Sequence, residues 1–403
     1  MIPVADAIQI VLEQTASQPV ESVALRDTLG RILAEDIVAD TDLPPFDRAQ
    51  MDGYAVRAAD VANAPARLRI AGESAAGSGW HHEMKAGEAV RIMTGAPVPA
   101  GADAVQQVEL TREVDGVVEI LKSVEAGRSI VRRAGEIKAG EIVLRSGEDI
   151  SAAMIATLAS FGYAQLKVGK LPRVAVMATG SELVDVDQRP GRDQIRDSNN
   201  YTIAAYARLA GATVECLPLA GDDTVELKKQ ITEATQTSDM FITSGGVSMG
   251  VYDFTKAALK ELGAEIFFEK VALRPGKPTV FARLGNALVF GLPGNPVSVA
   301  VTFNLFARTA LRAMQGANEP ALAEETAVLA RDLKGSIERE SYLPAVLRTN
   351  EQGSLLAEPL KWGGSSDFVA FARATALINV PAGVKSIEAG ERVRVVKLPG
   401  SAP

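Results

Sequence analysis

Between Pro172 and Gly316 the chain alternates short apolar segments with helical ones, and this alternation constrains the fold more than any other feature. The spacing predicts strands at 174–177, 214–219 and 241–243. It predicts helices at 199–209, 224–234 and 254–262, followed by two more strands and a long helix over 297–313. Strands that alternate with helices in this way form a mostly parallel sheet covered on both faces. We therefore expect a doubly wound α/β domain over about 172–316.

The segments on either side of this region follow different patterns. Residues 3–17 have helical spacing, and 150–162 have the pattern of a helix that ends at a glycine. Short alternating segments between glycine turns predict strands over about 45–145 and again after Gly316. We therefore predict four domains: a helical linking domain (1–44 with 146–171), an inserted β-rich domain (45–145), the α/β domain (172–316) and a C-terminal β domain (317–403).

Acidic residues outnumber basic ones, with 50 Asp and Glu against 42 Lys and Arg and a net charge of −8. A protein that binds nucleic acid through phosphate contacts is expected to be basic, so this class is disfavoured. A charge-free stretch between Arg283 and Arg308 is long enough to span a bilayer, but the prolines of 291–296 break any single helix there. With no signal-peptide pattern at the N-terminus, we expect a cytoplasmic protein without a membrane segment.

Two residue types that often carry catalysis are scarce. Cys216 is the only cysteine, which excludes disulfides within the chain and cysteine-cluster metal sites. It lies on a predicted strand, so we expect a buried, inert thiol. His81 and His82 are the only histidines and lie in a turn that is predicted to face solvent. A Ser-His-Asp triad, and with it acyl hydrolysis, is therefore disfavoured.

Five glycine-containing loops follow the predicted strands, at 179–182, 221–223, 244–250, 274–278 and 292–296. Ligand sites of open parallel sheets lie at the carboxyl ends of the strands, so we expect these loops at one edge. Glycine lets backbone N–H groups come close to a ligand and form anion-binding nests. Any one loop is equally explained as a tight connection, but the five together predict a ligand site.

Charged side chains in these loops form an acidic set and a basic set. The acidic set is Glu182, Asp222 and Asp253, and the basic set, within 22 residues, is Lys256, Lys270, Arg274 and Lys277. Carboxylates on separate loops suit Mg²⁺, although Asp222 and Asp253 equally suit caps of the helices that follow them. A run of cations is usually a solvated surface cluster, but Pro and Gly between Arg274 and Lys277 fix the backbone there and favour a site for these two. Together the two sets predict a phosphate-bearing substrate, Mg²⁺ and a separate oxyanion.

Six motifs, in this order along the chain, resemble the molybdopterin molybdenumtransferase family, which is MoeA with the E-domain of gephyrin as its animal relative. They are MDGYAV (51–56), MTGAP (93–97), DSN (197–199), SGGVS (244–248), RPGKP (274–278) and GLPGNP (291–296). The resemblance covers essentially the whole chain. It implies insertion of molybdate into adenylylated molybdopterin in the presence of Mg²⁺, with release of AMP.

The resemblance also implies an architecture and partners. We expect an α/β plus β fold: an elongated multidomain subunit with a MogA-like doubly wound parallel sheet, an inserted β domain and a C-terminal small β-barrel. The subunit would form a homodimer and would work beside a MogA-type adenylyltransferase.

Individual residues acquire roles from the same resemblance. The expected catalytic residues are Asp52, Asp222, Asp253, Lys270 and Arg274, with Asp52 completing the site across the dimer. Glu182 would join Asp222 and Asp253 at the metal, and Ser298 and Ser365 would hold molybdate. The other expected substrate contacts are Thr94, Arg132, Gly245, Gly246, Ser248, Lys256, Lys277, Pro293 and Pro296.

Two positions depart from the family pattern. Relatives often carry Arg-x-x-Gly-x-Asp where this chain has 132–136, so the aspartate is either deleted or replaced by Glu136. Relatives also often carry Arg where this chain has Pro344, and a lost charge-assisted hydrogen bond costs about 1.5–3 kcal/mol. These departures suggest one alternative, a weakened paralogue that acts as a pterin-binding scaffold. A second alternative is a molybdopterin adenylyltransferase of the MogA type, because the α/β segment alone resembles that enzyme.

Overall fold

The computed structural model describes residues 1–220, 224–246 and 254–400, with the side chain of Phe254 outside the description. The helices in these ranges are α1 (Val4–Glu13), α2 (Ala152–Ser160), α3 (Asn199–Leu209), α4 (Thr224–Thr237), α5 (Phe254–Glu261), α6 (Pro296–Thr302), α7 (Arg308–Met314) and α8 (Phe368–Phe371). No helix of the described residues is both long enough and apolar enough to cross a membrane.

The strands of the first part of the chain are β1 (Val20–Ala24), β2 (Ile37–Val38), β3 (Arg48–Ala49), β4 (Gly53–Val56), β5 (Ala66–Ser74), β6 (Glu88–Ile92), β7 (Ala104–Gln107), β8 (Thr111–Val114), β9 (Val117–Ile120), β10 (Ile130–Val131), β11 (Ile142–Leu144) and β12 (Gln165–Gly169). The middle part contains β13 (Arg173–Ala178), β14 (Leu183–Val184), β15 (Ile195–Arg196), β16 (Thr213–Cys216), β17 (Met240–Ser244), β18 (Glu265–Phe268), β19 (Leu273–Arg274), β20 (Val280–Leu284) and β21 (Ala287–Leu292). The last part contains β22 (Glu324–Leu329), β23 (Leu333–Lys334), β24 (Glu340–Thr349), β25 (Leu355–Pro359), β26 (Ala376–Val380), β27 (Ser386–Ile387) and β28 (Arg392–Lys397).

The chain divides into two compact units. Unit 1 contains residues 1–35, 146–155 and 165–403, and unit 2 contains residues 36–145 and 156–164. This division is coarser than the four domains expected from the sequence, whose boundaries stay a prediction.

The centre of unit 1 is a six-stranded sheet in the order β16-β13-β17-β21-β20-β18. The first four strands are parallel, and β20 and β18 add an antiparallel edge. One face packs on α1, α3, α6 and α7 through residues such as Ile203, Phe303 and Leu311. The other face packs on α4 and α5 through residues such as Leu227 and Leu259. The predicted mostly parallel sheet with helices on both faces is confirmed.

The C-terminal part of unit 1 contains a closed barrel of five strands. The order is β24-β25-β22-β28-β26, and β24 also pairs with β26, which closes the ring. Alternate residues of these strands, among them Leu329, Leu343 and Val395, form its buried core. The predicted small C-terminal barrel is confirmed. The two-residue strand β19 joins it from outside, pairing in parallel with the start of β24.

Two details of unit 1 differ from the sequence predictions. The prediction that Cys216 is buried is wrong: its thiol is exposed. The physical reason is that β16 is an edge strand with a single neighbour, β13, and three of its four residues are exposed. The helix predicted over 297–313 is present but interrupted, because residues 303–307 form a π-helical turn between α6 and α7.

Unit 2 is built on a second six-stranded sheet, in the order β7-β4-β6-β5-β9-β8. Its strand β4 lies between β7 and β6 and is buried along its whole length. A side chain at Gly53 would place its Cβ 1.9 Å from the backbone oxygen of Gln106 on β7. The glycine of the MDGYAV motif is therefore required by close approach of two strands.

Candidate functional site

A cavity of about 1520 Å³ lies in unit 1 at the carboxyl edge of the parallel sheet. The loops after β13, β17 and β21 meet there, and Thr179, Ser244 and Pro293 are among the lining residues. Of the other two glycine loops, 221–223 lies outside the described residues and 274–278 contributes Pro278. Four of the five sequence-predicted loops thus contribute to one cavity, as the strand-end rule predicts.

The glycines that follow β17 form a wall without side chains. Gly245 and Gly246 line the cavity and have φ angles of 89° and 63°, a region that favours glycine. A Cβ on Gly245 would lie 2.4 Å from the backbone oxygen of Thr179, and a Cβ on Gly246 would lie 2.5 Å from Oγ1 of Thr255. Since no side chain fits at either position, backbone atoms face the ligand space directly.

The start of α3 forms another part of the cavity wall. Asp197 accepts hydrogen bonds from the backbone N–H groups of Asn199 (2.9 Å) and Asn200 (3.2 Å). Burial raises the pKa of Asp197 above its usual value and outweighs these hydrogen bonds, which act in the opposite direction. The side-chain amide of Asn199 donates to the backbone oxygen of Gly294 (2.8 Å) and so ties α3 to the loop after β21.

Two polar atoms in this cavity wall are buried without a hydrogen-bond partner among the described residues. They are Oδ1 of Asn199 and Oγ of Ser244. Both residues belong to motifs named in the sequence analysis, DSN and SGGVS, but neither was predicted as a site residue. Their signal was present in those motifs, although nothing in the spacing shows that both side chains are buried beside one cavity.

The two serines expected to hold molybdate differ in position. Ser365 accepts a hydrogen bond from Nδ2 of Asn295 (2.9 Å), and its backbone oxygen accepts one from the N–H of Val297 (3.0 Å). Ser298 lies on α6 and is 4% exposed. Neither serine is in the cavity lining, whereas Pro293 and Pro296 are.

Among the carboxylates predicted to bind a metal, Glu182 is described and lines the cavity with an exposed side chain. It makes no ion pair with any residue in the described ranges. Asp222 and Asp253, together with Ser248, lie outside the described residues. No group of three His, Cys, Asp or Glu side chains with metal-binding geometry occurs in the described part of the chain.

The basic set does not line this cavity. Lys256 pairs with Glu269 at 2.6 Å, and this contact lowers the pKa of Glu269. The Arg274 guanidinium donates to the backbone oxygen of Gly335 (3.3 Å), because β19 pairs with the barrel strand β24. Lys270 and Lys277 are partly buried. Pro278, next to Lys277, does line the cavity, and the roles expected for the four cations stay predictions.

Unit 2 contains a second group of predicted site residues. Oδ1 of Asp52 accepts hydrogen bonds from the backbone N–H (2.7 Å) and the hydroxyl (2.8 Å) of Thr94. These two donors lower the pKa of Asp52, the backbone donor more than the hydroxyl. The carboxylate is exposed, so it is held in one orientation in its charged form.

The segment that departs from the family pattern is held by local ion pairs. Arg132 pairs with Asp47 at 2.6 Å, and Asp47 also accepts from the backbone N–H of Arg133 (2.7 Å). Glu136 pairs with Arg48 at 3.0 Å. In unit 1, Pro344 is buried within β24 of the barrel. Glu136 therefore retains a carboxylate with a cationic partner, whereas Pro344 offers no charge.

Comparisons with known proteins agree along the whole chain. Three family models match in succession: the MoeA N-terminal region (domain I and II) at residues 2–162, the probable molybdopterin binding domain at 175–313 and the MoeA C-terminal region (domain IV) at 326–398. The molybdopterin molybdenumtransferase of Staphylococcus aureus (strain COL) is 38% identical over 98% of this chain and 95% of its own length. That of Bacillus subtilis (strain 168) is 36% identical over 98% of this chain and 94% of its own.

A solved structure agrees with these matches. The molybdopterin biosynthesis MoeA protein of Pyrococcus horikoshii OT3 superposes with a TM-score of 0.85 at 28% identity, covering 98% of this chain and 100% of that one. The chain therefore belongs to the MoeA family.

Proposed function

We propose that this protein is a molybdenumtransferase that inserts molybdate into adenylylated molybdopterin and releases AMP with the help of Mg²⁺. One observation carries the proposal: the large cavity at the carboxyl edge of the parallel sheet belongs to a chain that matches molybdopterin molybdenumtransferases over 98% of its length. Action as a homodimer, location in the cytoplasm and supply of substrate by a MogA-type adenylyltransferase stay predictions.

The cavity suits a large anionic substrate. Its volume exceeds the range of about 300–1,000 Å³ that is usual for small-ligand pockets. The backbone at Gly245 and Gly246 can approach phosphate oxygens because no side chain intervenes. The loop after β21 is held from both sides, by Asn199 at Gly294 and by Asn295 at Ser365, so the cavity wall is ordered before substrate binds.

The donor set at the cavity fits Mg²⁺. Mg²⁺ takes one or two carboxylates and completes its octahedron with water and phosphate oxygens. Glu182 offers a carboxylate on the cavity wall without a competing ion pair among the described residues, and Asp222 and Asp253 would add the others. When bound, Mg²⁺ would neutralise charge on the phosphate oxygens of the substrate. Glu182, on the loop after β13, would be one of the residues that hold the ion.

The direct test is an assay of AMP release from adenylylated molybdopterin with molybdate and Mg²⁺. We expect AMP and metal-containing cofactor in equal amounts. Tight binding of the substrate without AMP release would contradict the proposal and favour the scaffold alternative. Formation of adenylylated molybdopterin from ATP would favour the adenylyltransferase alternative.

Glu182→Gln is expected to raise the Mg²⁺ concentration that gives half-maximal AMP release by about tenfold, because the amide removes one of few charged oxygen ligands. The measurement is a Mg²⁺ titration of the initial rate. Glu215→Gln, which changes an exposed glutamate on β16 outside the cavity lining, is the matched control and should leave the titration unchanged. Superimposable titrations of Glu182→Gln and wild type would remove Glu182 from the metal site.

Thr94→Val is expected to shift the acid limb of the pH profile of AMP release to higher pH. Thr94 stabilises the charged form of Asp52, so loss of the hydroxyl raises the pKa of this carboxylate. Asp52 then becomes protonated at a higher pH, and activity that needs its charge is lost at that higher pH. The backbone donor remains, so the shift is partial. Thr94→Ser keeps both donors and should restore the wild-type profile. If valine and serine give the same profile, Thr94 does not act through Asp52.

A further inference from the structure

Few aromatic side chains of this chain are exposed, and their positions are informative. Among the aromatic residues whose side chains the structure describes, three are exposed: Phe46 (40%), Tyr201 (55%) and Phe368 (53%). Tyr201 and Phe368 both line the cavity at the carboxyl edge of the sheet. Exposed aromatic rings lack the burial that stabilises rings elsewhere in the protein. Two of them at one cavity therefore indicate a ligand-binding surface.

The two rings come from distant parts of the sequence, and both supporting segments are hydrogen-bonded to the same loop. Tyr201 is in the first turn of α3, two residues after Asn199, whose amide donates to Gly294. Phe368 begins α8, three residues after Ser365, which accepts a hydrogen bond from Asn295. The segments that carry the two rings are therefore both joined to the loop 293–296, which lines the same cavity.

The backbone that carries Phe368 is fixed independently of any ligand. Asp367 accepts hydrogen bonds from the N–H groups of Gly363 (2.8 Å) and Ala370 (3.1 Å), which caps α8. These two hydrogen bonds lower the pKa of Asp367, so the cap is charged at neutral pH. A preorganised segment that carries an exposed ring binds a flat partner at low entropic cost.

The cavity lining also includes apolar side chains that can pack against a flat ring. Leu183, Val186 and Ile195 line it, and Val186 and Ile195 are about half exposed. These side chains come from β14 and β15, or lie next to them, and so form a second apolar face of the same cavity. The glycine wall, by contrast, offers backbone polar groups. The cavity thus has one region suited to phosphate and another suited to an aromatic ring.

We propose that Tyr201 and Phe368 form an aromatic platform that stacks on a flat heteroaromatic ring of the substrate. The inference rests on the proposed function, in which the substrate carries two such rings, a pterin and an adenine. The face of an aromatic side chain can stack on either of these ring systems, because both present a flat π-face. Tyr201 and Phe368 would thereby position the substrate, while the glycine wall would contact its phosphate oxygens and Glu182 would hold the Mg²⁺ that neutralises them.

The test measures the dissociation constants of two probes, AMP and pterin-6-carboxylate, by titration calorimetry. Tyr201→Leu and Phe368→Leu keep an apolar side chain of moderate size but remove the ring. Each is therefore expected to raise the dissociation constant of the probe that stacks by about tenfold. Tyr201→Phe keeps the ring and should bind like the wild type. The probe whose dissociation constant rises shows whether the adenine or the pterin of the substrate stacks on the platform.

Two matched controls lie on the same helices outside the cavity lining. Leu209→Ala on α3 and Val369→Ala on α8 change residues that are 57% and 72% exposed. Both should leave the two dissociation constants unchanged, and thermal unfolding of every variant should match the wild type. Loss of binding in these controls would show a structural effect and overturn the proposal.

The proposal is also overturned if both leucine variants bind both probes like the wild type, or if the wild type binds neither probe. Its failure is distinguishable from failure of the proposed function. Wild-type AMP release from adenylylated molybdopterin, together with unchanged probe binding in the leucine variants, would retain the molybdenumtransferase and remove the aromatic platform. Weaker probe binding in the leucine variants, together with no AMP release by the wild type, would retain the aromatic platform and remove the molybdenumtransferase.

Discussion

Phe290→Ala is expected to lower the free energy of unfolding of unit 1 by about 3–5 kcal/mol. Phe290 is fully buried on the central strand β21 and stacks on Phe281 with ring centroids 4.7 Å apart. Phe281 in turn contacts the rings of Phe267 and Phe268. Because β21 is hydrogen-bonded on both sides, its backbone cannot move inward to fill the space that the ring leaves.

Urea unfolding followed by tryptophan fluorescence measures this effect. Trp362 packs against the same core, whereas the other tryptophan, Trp80, belongs to unit 2, so a Trp80→Phe background isolates the signal of unit 1. Phe290→Leu is the matched variant, and it should recover most of the loss because leucine refills much of the cavity. Equal midpoints for alanine and leucine would contradict the packing argument.

Asp52→Asn is expected to reduce the rate of AMP release by about 100-fold or more, because the family resemblance makes Asp52 one of the expected catalytic residues. Asparagine has the same shape, and its side-chain oxygen can still accept both hydrogen bonds from Thr94. The substitution therefore removes the negative charge and leaves the local geometry in place. The exposed position of Asp52 makes a large effect on folding unexpected.

The measurement is the single-turnover rate of AMP release at saturating molybdate. Asp115→Asn removes a charge from another exposed turn of unit 2 and is the matched control, since asparagine tolerates the positive φ of 48° found there. A rate for Asp52→Asn within twofold of the control would remove Asp52 from the catalytic residues.

The fold was predictable where local patterns carry the information. The helix predicted at 199–209 is α3 with the same bounds, and the strand predicted at 241–243 is the core of β17. The exposure of Cys216 was not predictable, because it depends on β16 lying at the sheet edge, and strand order is set by pairing between distant segments. The π-helical turn at 303–307 likewise leaves no mark on the hydrophobic spacing of its helix.

The candidate site was predictable in outline because strand ends share an edge. Thr179, Gly245 and Pro293 come together at the cavity as that rule requires. Arg274 could not be placed from the sequence, since β19 pairs with a barrel strand more than sixty residues away in sequence. The exposed rings of Tyr201 and Phe368 were also missed, because aromatic residues in apolar patterns are ordinarily assigned to the core.

The closed barrel has a consequence for how two copies of this chain can associate. An open sheet presents a row of unpaired backbone groups at its edge, which can template the addition of a strand from another molecule. In the barrel β24 bonds to both β25 and β26, and β19 covers the start of β24 that β25 does not reach, so the described strands leave few unpaired backbone groups. We therefore expect contacts of this module with a second copy to run mainly through side chains, with little tendency to edge-to-edge aggregation.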